Sequence, residues 1–172
     1  FYGASMHEAR AYTGEHVVVV GAANSAGQAA LHFARFARSV TILVRGGSLE
    51  SKMSSYLVAQ IAKTPEINVR LHTEVHELHG ENRLEQVDVI DAEGNIESIE
   101  ASGVFIFIGA EPHTEWLDGA VERDHLGFVL AGSDLTHGRT WKEDRPPFSL
   151  ETSLPGVFAA GDVRAQSIKR VA

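Results

Sequence analysis

The chain of 172 residues contains no cysteine. That excludes disulfides, thiolate metal ligands and any dithiol redox chemistry carried within this chain. A long hydrophobic run is missing too, since no apolar stretch approaches the ~20 residues that span a bilayer. The N-terminal residues Phe1-Tyr2-Gly3-Ala4-Ser5 show neither a basic region nor a signal-like apolar core, so a cytoplasmic protein is expected. Positive charge is scarce. The net charge is −8 with no basic stripe, so neither nucleic acid nor a membrane is an expected partner. Repeats and low-complexity tracts are also absent. What remains is ordinary for a globular chain, with 44% hydrophobic and 22% charged residues. A chain of this size suits one large domain, or one domain plus part of another, and buries roughly two-thirds of its surface on folding.

Histidine is not scarce: there are nine. His72, His76 and His79 invite a metal reading. Their segment reads as a strand in which His72 and His76 share one face and His79 lies on the other. No carboxylate completes a recognised ligand motif around them, so no metal site is expected.

The most informative stretch runs from Val17 to Ala30. Four valines, Val17 to Val20, fit a strand buried on both faces, and Gly21 and a series of small residues lead from it into a helix-forming run. A strand turning tightly into a helix aims the free N–H groups and positive dipole end of the helix at one point. The spacing Gly21-x-Ala23-x-x-Ala26 approximates the dinucleotide fingerprint, with alanine in place of its second glycine. Two other readings stay open. Ala23-Asn24-Ser25-Ala26-Gly27 nearly matches a hydrolase nucleophile elbow, and small residues can serve close packing alone.

The pattern predicts a strand at 16–21, a helix from Gln28 to Arg38, a strand Val40–Val44, a helix from Lys52 to Lys63 and a strand Ile67–Leu71. This is a Rossmann-like βαβαβ unit of the α/β class with a parallel sheet. Thr73–His79, Leu84–Asp91 and Ile96–Ala101 then alternate between good turns, predicting an inserted antiparallel three-stranded meander. Val104–Ile108 returns as a buried strand ending at Gly109-Ala110-Glu111-Pro112. Beyond Thr114 the chain predicts a short strand at Gly127–Leu130, a long polar surface loop from Asp134 to Pro147, and a last apolar strand at Val157–Ala160.

The second strand ends in Val44-Arg45, with no carboxylate before Glu50. A carboxylate there would accept from the ribose 2′-hydroxyl of NAD, whereas a guanidinium pairs with a 2′-phosphate. Arg45 therefore favours NADPH over NADH, with Ser48 and Lys52 as possible helpers. Gly109 ends a buried strand, where α/β sheets place ligands. Gly161-Asp162 closes the last apolar strand, and a carboxylate at such a position can accept hydrogen bonds from a polyol such as a ribityl chain.

Val17–Ala26, Arg45, Gly109–Pro112 and the run Thr152-Ser153-Leu154-Pro155-Gly156-Val157-Phe158-Ala159-Ala160-Gly161-Asp162 occur in one order with regular spacing. Together they resemble the thioredoxin-reductase-like flavoproteins, the low-molecular-weight pyridine nucleotide-disulfide oxidoreductases. The resemblance is nearest to a cysteine-less branch often fused to a cyclic-nucleotide-binding domain. It covers essentially the whole chain, and the segment from Thr152 to Asp162 is its most specific part.

The resemblance implies an FAD domain split in sequence around an NADPH domain. Residues 1–12 would be a hinge and FAD-domain remnant, 13–110 the NADPH-binding domain, and 111–172 part of the returning FAD-binding half. It implies that Gly21, Ala23, Asn24, Ser25, Ala26 and Arg45 hold NADPH, with Gly109 at its nicotinamide half. Gly161 and Asp162 would contact FAD, and Gly3 and Gly14 would mark the hinge. The implied activity of the full-length enzyme is hydride transfer from NADPH to FAD, then electron delivery from a homodimer to an unidentified acceptor. No residue of this chain is named as a catalytic acid or base.

Several positions depart from that family. Ala4-Ser5-Met6-His7 stands where thioredoxin reductases carry Cys-x-x-Cys, so disulfide exchange with a thioredoxin is not expected. Val44-Arg45-Gly46 replaces a His-Arg-Arg cluster, leaving one arginine for the 2′-phosphate. Lys169-Arg170 replaces an Arg-Gln pair at the flavin. The first FAD fingerprint is nowhere in the chain. The expectation is a fragment that by itself binds NADPH weakly, holds no flavin and is inactive. A ferredoxin- or flavodoxin-NADP reductase of the same fold, and a non-catalytic NADPH-sensing domain, are the alternatives.

Overall fold

The computed structural model describes residues 6–136 and 139–167. Gly3, Ala4, Ser5, Lys169 and Arg170, which carried sequence-based expectations, lie outside them. The chain forms two compact units, one ending at Ile108 and one beginning at Gly109.

In chain order the first unit contains α1 (Met6–Ala11), β1 (His16–Val20), α2 (Asn24–Phe33), β2 (Ser39–Val44), α3 (Ser55–Ile61), β3 (Ile67–Leu71), β4 (Thr73–His79), β5 (Gln86–Asp91), β6 (Ile96–Glu100) and β7 (Gly103–Ile106). A four-stranded sheet has the order β3-β2-β1-β7, and all its pairs are parallel. A second, three-stranded sheet β4-β5-β6 is antiparallel. The Rossmann-like unit and its inserted meander are thus both present.

The valine run explains this layering. Side chains of a strand alternate between faces. Val17 and Val19 join Phe33, Val40, Ile42, Val44 and Phe105 in a core on the helical side of the sheet. Val18 packs on the opposite face with Leu43, Val87, Val89 and Val104. The antiparallel sheet therefore covers the face that the helices leave open, and β1 must be apolar at every central position. Phe33 of α2 and Phe105 of β7 pack with ring centroids 4.3 Å apart, and Tyr12 meets Phe105 edge-on at 5.3 Å. Burying one such phenylalanine contributes about 1.5–3 kcal/mol.

The structure corrects several boundaries. α2 begins at Asn24 rather than Gln28, because the small residues of the turn are also compatible with a first helical turn. It ends at Phe33, where Arg35 N–H to His32 and Phe36 N–H to Phe33 tighten the chain into shorter-range bonds. α3 is shorter than its apolar pattern, since Ser54 is extended (φ −62°, ψ 141°) and interrupts the helical path from Lys52. α1 was not expected at all; its Ala9 is fully buried in the helical-side core. β7 closes at Ile106, and Ile108 is exposed rather than part of a buried strand.

In the second unit the two expected strands reduce to isolated bridges, Val129 to Arg123 and Arg164, and Phe158 to Glu151. Val157 and Phe158 are exposed, which the apolar run did not suggest. The segment read as a polar surface loop contains a fully buried tryptophan, Trp141. Its indole N–H donates to the Arg145 carbonyl. Arg145 in turn makes two bonds of 2.7 Å to the buried carboxylate of Glu151 and stacks over the rings of Trp141 and Phe148. Charge and proline content hid this loop's anchor, because burial of Glu151 depends on a partner six residues away.

Candidate functional site

Ligands of open α/β sheets bind outside the carboxyl ends of the strands. Here that edge is formed where β1 meets α2 and where β2 ends. Gly21 donates its N–H to the Leu43 carbonyl at 3.0 Å as the chain leaves the sheet. Its φ is +141°, and a Cβ built on it would lie 2.5 Å from the Phe107 carbonyl oxygen and 3.2 Å from the Ala26 Cβ. Only glycine fits. Ala23, by contrast, is extended with φ −94° and ψ 177°, a conformation any L-residue adopts. This is why alanine can occupy the fingerprint's second glycine position without strain. Ala26 is fully buried beneath the turn.

The start of α2 is open. Its first internal bond runs from Gly27 N–H to the Ala23 carbonyl at 3.2 Å, so the N–H groups of Asn24, Ser25 and Ala26 precede it. No side chain caps this end and its first turn holds no acidic residue. Such a terminus attracts an anion through both free donors and the helix dipole. Gly27 belongs to the helix rather than to the turn. A Cβ on it would meet the Met53 sulfur at 2.7 Å, so its smallness lets the segment before α3 pack closely.

The side chain of Asn24 also has a structural partner. Its side-chain oxygen accepts the Ser54 N–H at 2.8 Å, tying the turn to the start of α3. Ser25 is exposed in the first turn of the helix, and among the described residues no hydrogen bond joins it to a histidine. That geometry gives the nucleophile-elbow reading no support.

Arg45 follows the buried Val44 and is exposed, and among the described residues no ion pair engages it. Gly109 has φ +97° and is exposed at the first position of the second unit. Gly161, with φ +81°, opens a 3-10 turn at Gly161–Val163 that presents Asp162 to solvent. A polar cavity of about 460 Å³ in the same unit is lined by Asp118, Glu122, Arg123, Asp124, His125 and Ser153, among others, and includes neither Gly161 nor Asp162.

The histidines depart from strict alternation. His72 lies outside the strands with φ +52°, and the β4–β5 register shifts between Val75 and Glu77. This bulge adds a residue to β4 and changes which side chains share a face. Glu77, His79 and Asp88 consequently converge, their ligand-capable atoms all within 4.8 Å of one another. Two carboxylates thus stand by His79 where none was expected. The convergence is accounted for by a bond of 2.9 Å between His79 Nε2 and Asp88. Asp88 also accepts from the Ser98 hydroxyl. The Asp88 hydrogen bond raises the His79 pKa above its usual value, and bonds from Ser98 and then His79 hold the Asp88 carboxyl below its own.

A parallel sheet of order β3-β2-β1-β7, with a glycine turn leading into an uncapped helix, defines a Rossmann-type fold of the nucleotide-binding class. More narrowly, the chain belongs to the pyridine nucleotide-disulphide oxidoreductase family, whose sequence profile matches residues 4–172. It is 33% identical over 150 residues to thioredoxin reductase of Streptomyces clavuligerus, covering 87% of this chain and 42% of that protein. It is 32% identical over 152 residues to NADH dehydrogenase of Bacillus subtilis, covering 88% of this chain and 26% of that protein. The crystal structure of T. acidophilum thioredoxin reductase superposes with a TM-score of 0.76 at 27% identity, covering 98% of this chain and 51% of that one. The chain spans about half the length, or less, of these relatives. Among the described residues no helix is long and apolar enough to cross a membrane.

Proposed function

We propose that this chain is the NADPH-binding portion of an FAD-dependent oxidoreductase and presents the nucleotide for hydride transfer to the flavin. The observation that carries the reading is the edge formed by Gly21, the uncapped start of α2 and Arg45. The N–H groups of Asn24, Ser25 and Ala26 receive the pyrophosphate, and the bare Cα of Gly21 lets it approach. Ala23 and Ala26 shape the turn without adding polar groups that would compete for the phosphate. The Asn24–Ser54 bond holds this turn in position. Arg45 selects the 2′-phosphate, as the sequence carries no carboxylate between the end of β2 and Glu50 to favour a free ribose hydroxyl. Gly161 with Asp162 contributes to the flavin site of the full-length protein. The bound cofactors supply the hydride chemistry, and the protein supplies their orientation.

With no cysteine in its sequence, this chain passes no electrons by thiol–disulfide exchange of its own. A relative named NADH dehydrogenase supports a second reading, in which NADH is the donor. Steady-state oxidation of NADPH and NADH by the full-length flavoprotein, with an artificial acceptor, separates the two. Arg45→Ala is expected to raise the KM for NADPH by about 10- to 100-fold, the loss of a charge-assisted bond, and to leave that for NADH unchanged. An equal effect on both removes Arg45 from this role. Binding without turnover favours a sensor.

A further inference from the structure

The strongest unassigned feature of the first unit is His72. β2 and β3 are parallel, and Val44 is in register with Leu71. The next residues, Arg45 and His72, therefore leave neighbouring strands side by side, at the carboxyl edge where nucleotides bind. His72 adopts φ +52°, the left-handed region, which costs a non-glycine residue free energy and is uncommon outside turns and functional sites. This conformation reverses the chain into β4, and the His72 N–H donates to the Gly46 carbonyl at 3.1 Å. The imidazole lies over the next residue of that loop: a Cβ on Gly47 would sit 3.0 Å from both its Cε1 and Nε2. A side chain on Gly47 would press on the ring, which would have to give by a few tenths of an ångström. His72 and Arg45 are both exposed residues.

We infer that His72 is a specificity-determining residue for the adenosine end of the nucleotide, donating from its imidazole to the 2′-phosphate beside Arg45. The inference rests on the NADPH reading of the preceding section and adds a second, sequence-distant donor to it. A loop of Arg45-Gly46-Gly47-Ser48 has one cation and two residues without side chains. A single guanidinium satisfies two oxygens of a phosphate bidentately and leaves a third free. His72, just past the end of β3, supplies a further donor beside those of the loop, and it is anchored to that loop by its own backbone. Imidazole donates an N–H whether neutral or protonated, so the contact does not require a charge.

Calorimetric binding of NADPH and NADH to this chain tests the idea with His72→Asn, His72→Arg and Arg45→Ala. Asparagine tolerates the left-handed conformation and keeps the backbone bond to Gly46 while removing the ring. His72→Asn is expected to weaken NADPH binding about 3- to 10-fold, the range of one neutral hydrogen bond, with NADH affinity and melting temperature unchanged. His72→Arg is expected to retain or raise the preference for NADPH. If the wild-type chain binds NADPH no better than NADH, or Arg45→Ala weakens both alike, the cofactor reading fails and takes this inference with it. If Arg45→Ala abolishes the preference while His72→Asn keeps it in full, or weakens both nucleotides equally, the role of His72 alone is overturned.

Discussion

Gly21 and Ala23 show how one turn makes opposite demands two residues apart. Gly21 has φ +141° and faces the Phe107 carbonyl too closely for any Cβ. Gly21→Ala is therefore expected to lower stability by about 1–3 kcal/mol, with phosphate-dependent nucleotide binding lost alongside. Ala23 sits in ordinary extended backbone. Ala23→Gly, which restores the usual fingerprint, should lower stability by about 0.5–1 kcal/mol through greater freedom of the unfolded chain. Thermal or urea unfolding of the two variants checks both signs. The glycine was legible from its place after the valine run, whereas the sufficiency of alanine depends on a dihedral angle that no spacing reveals. Asn24 is similar: its residue type suits a helix start, but its bond to Ser54 requires α3 to fold against the turn.

At the scale of the element, the strand Ile67–Leu71, read as closing the βαβαβ unit, and Thr73–His79, read from alternation, match β3 and β4 to the residue. The bulge at His76 is what alternation could not supply, because one extra residue changes the facing of those beyond it. It brings Glu77 and His79 towards Asp88 on β5. The pKa values of the two partners shift in opposite directions. The raised His79 pKa stabilises the folded sheet below the usual 6.5, and this contribution is lost as pH rises through the higher folded value. The lowered Asp88 pKa stabilises it above the usual 3.8, and this is lost as pH falls through the lower folded value. The pair is therefore strongest between those limits. Asp88→Asn should return the His79 pKa towards 6.5 in an NMR titration of the imidazole protons, and an unchanged midpoint would exclude the bond as its cause. Helix ends were the least legible elements, since small residues such as those at 22–27 serve equally in a turn and in a first helical turn.

At the scale of the whole molecule, the two units are held by different means. The first has two apolar cores, one on each face of its parallel sheet. The second has few regular elements and contains a buried carboxylate, Glu151, held by Arg145 and by the N–H groups of Phe148 and Gly156. Arg145 foremost, and then those two N–H groups, lower the Glu151 pKa from 4.5 to about 2. Its contribution is complete above 4.5 and disappears as pH falls from there to about 2. Both tryptophans, Trp116 and Trp141, lie in this unit, so their emission reports on it selectively. Acidification should expose Trp141 across that pH range. Glu151→Gln should be less stable at neutral pH and should lose the acid-dependent component of the emission change. A variant with an unaltered acid transition would assign the transition to other groups.

The sequence by itself determined the α/β class, the parallel order of strands and helices, the meander, and the Gly21 turn with Arg45 behind it. These follow from local periodicity and backbone sterics, which act over a few residues. The tertiary structure alone decided that α2 begins at Asn24 with a free N-terminus, that His79 meets Asp88, that Trp141 and Glu151 are buried together, and that His72 stands beside Arg45. Each of these depends on register or packing between segments distant in the chain, or on a backbone angle set by its neighbours, and a linear pattern does not encode those distances.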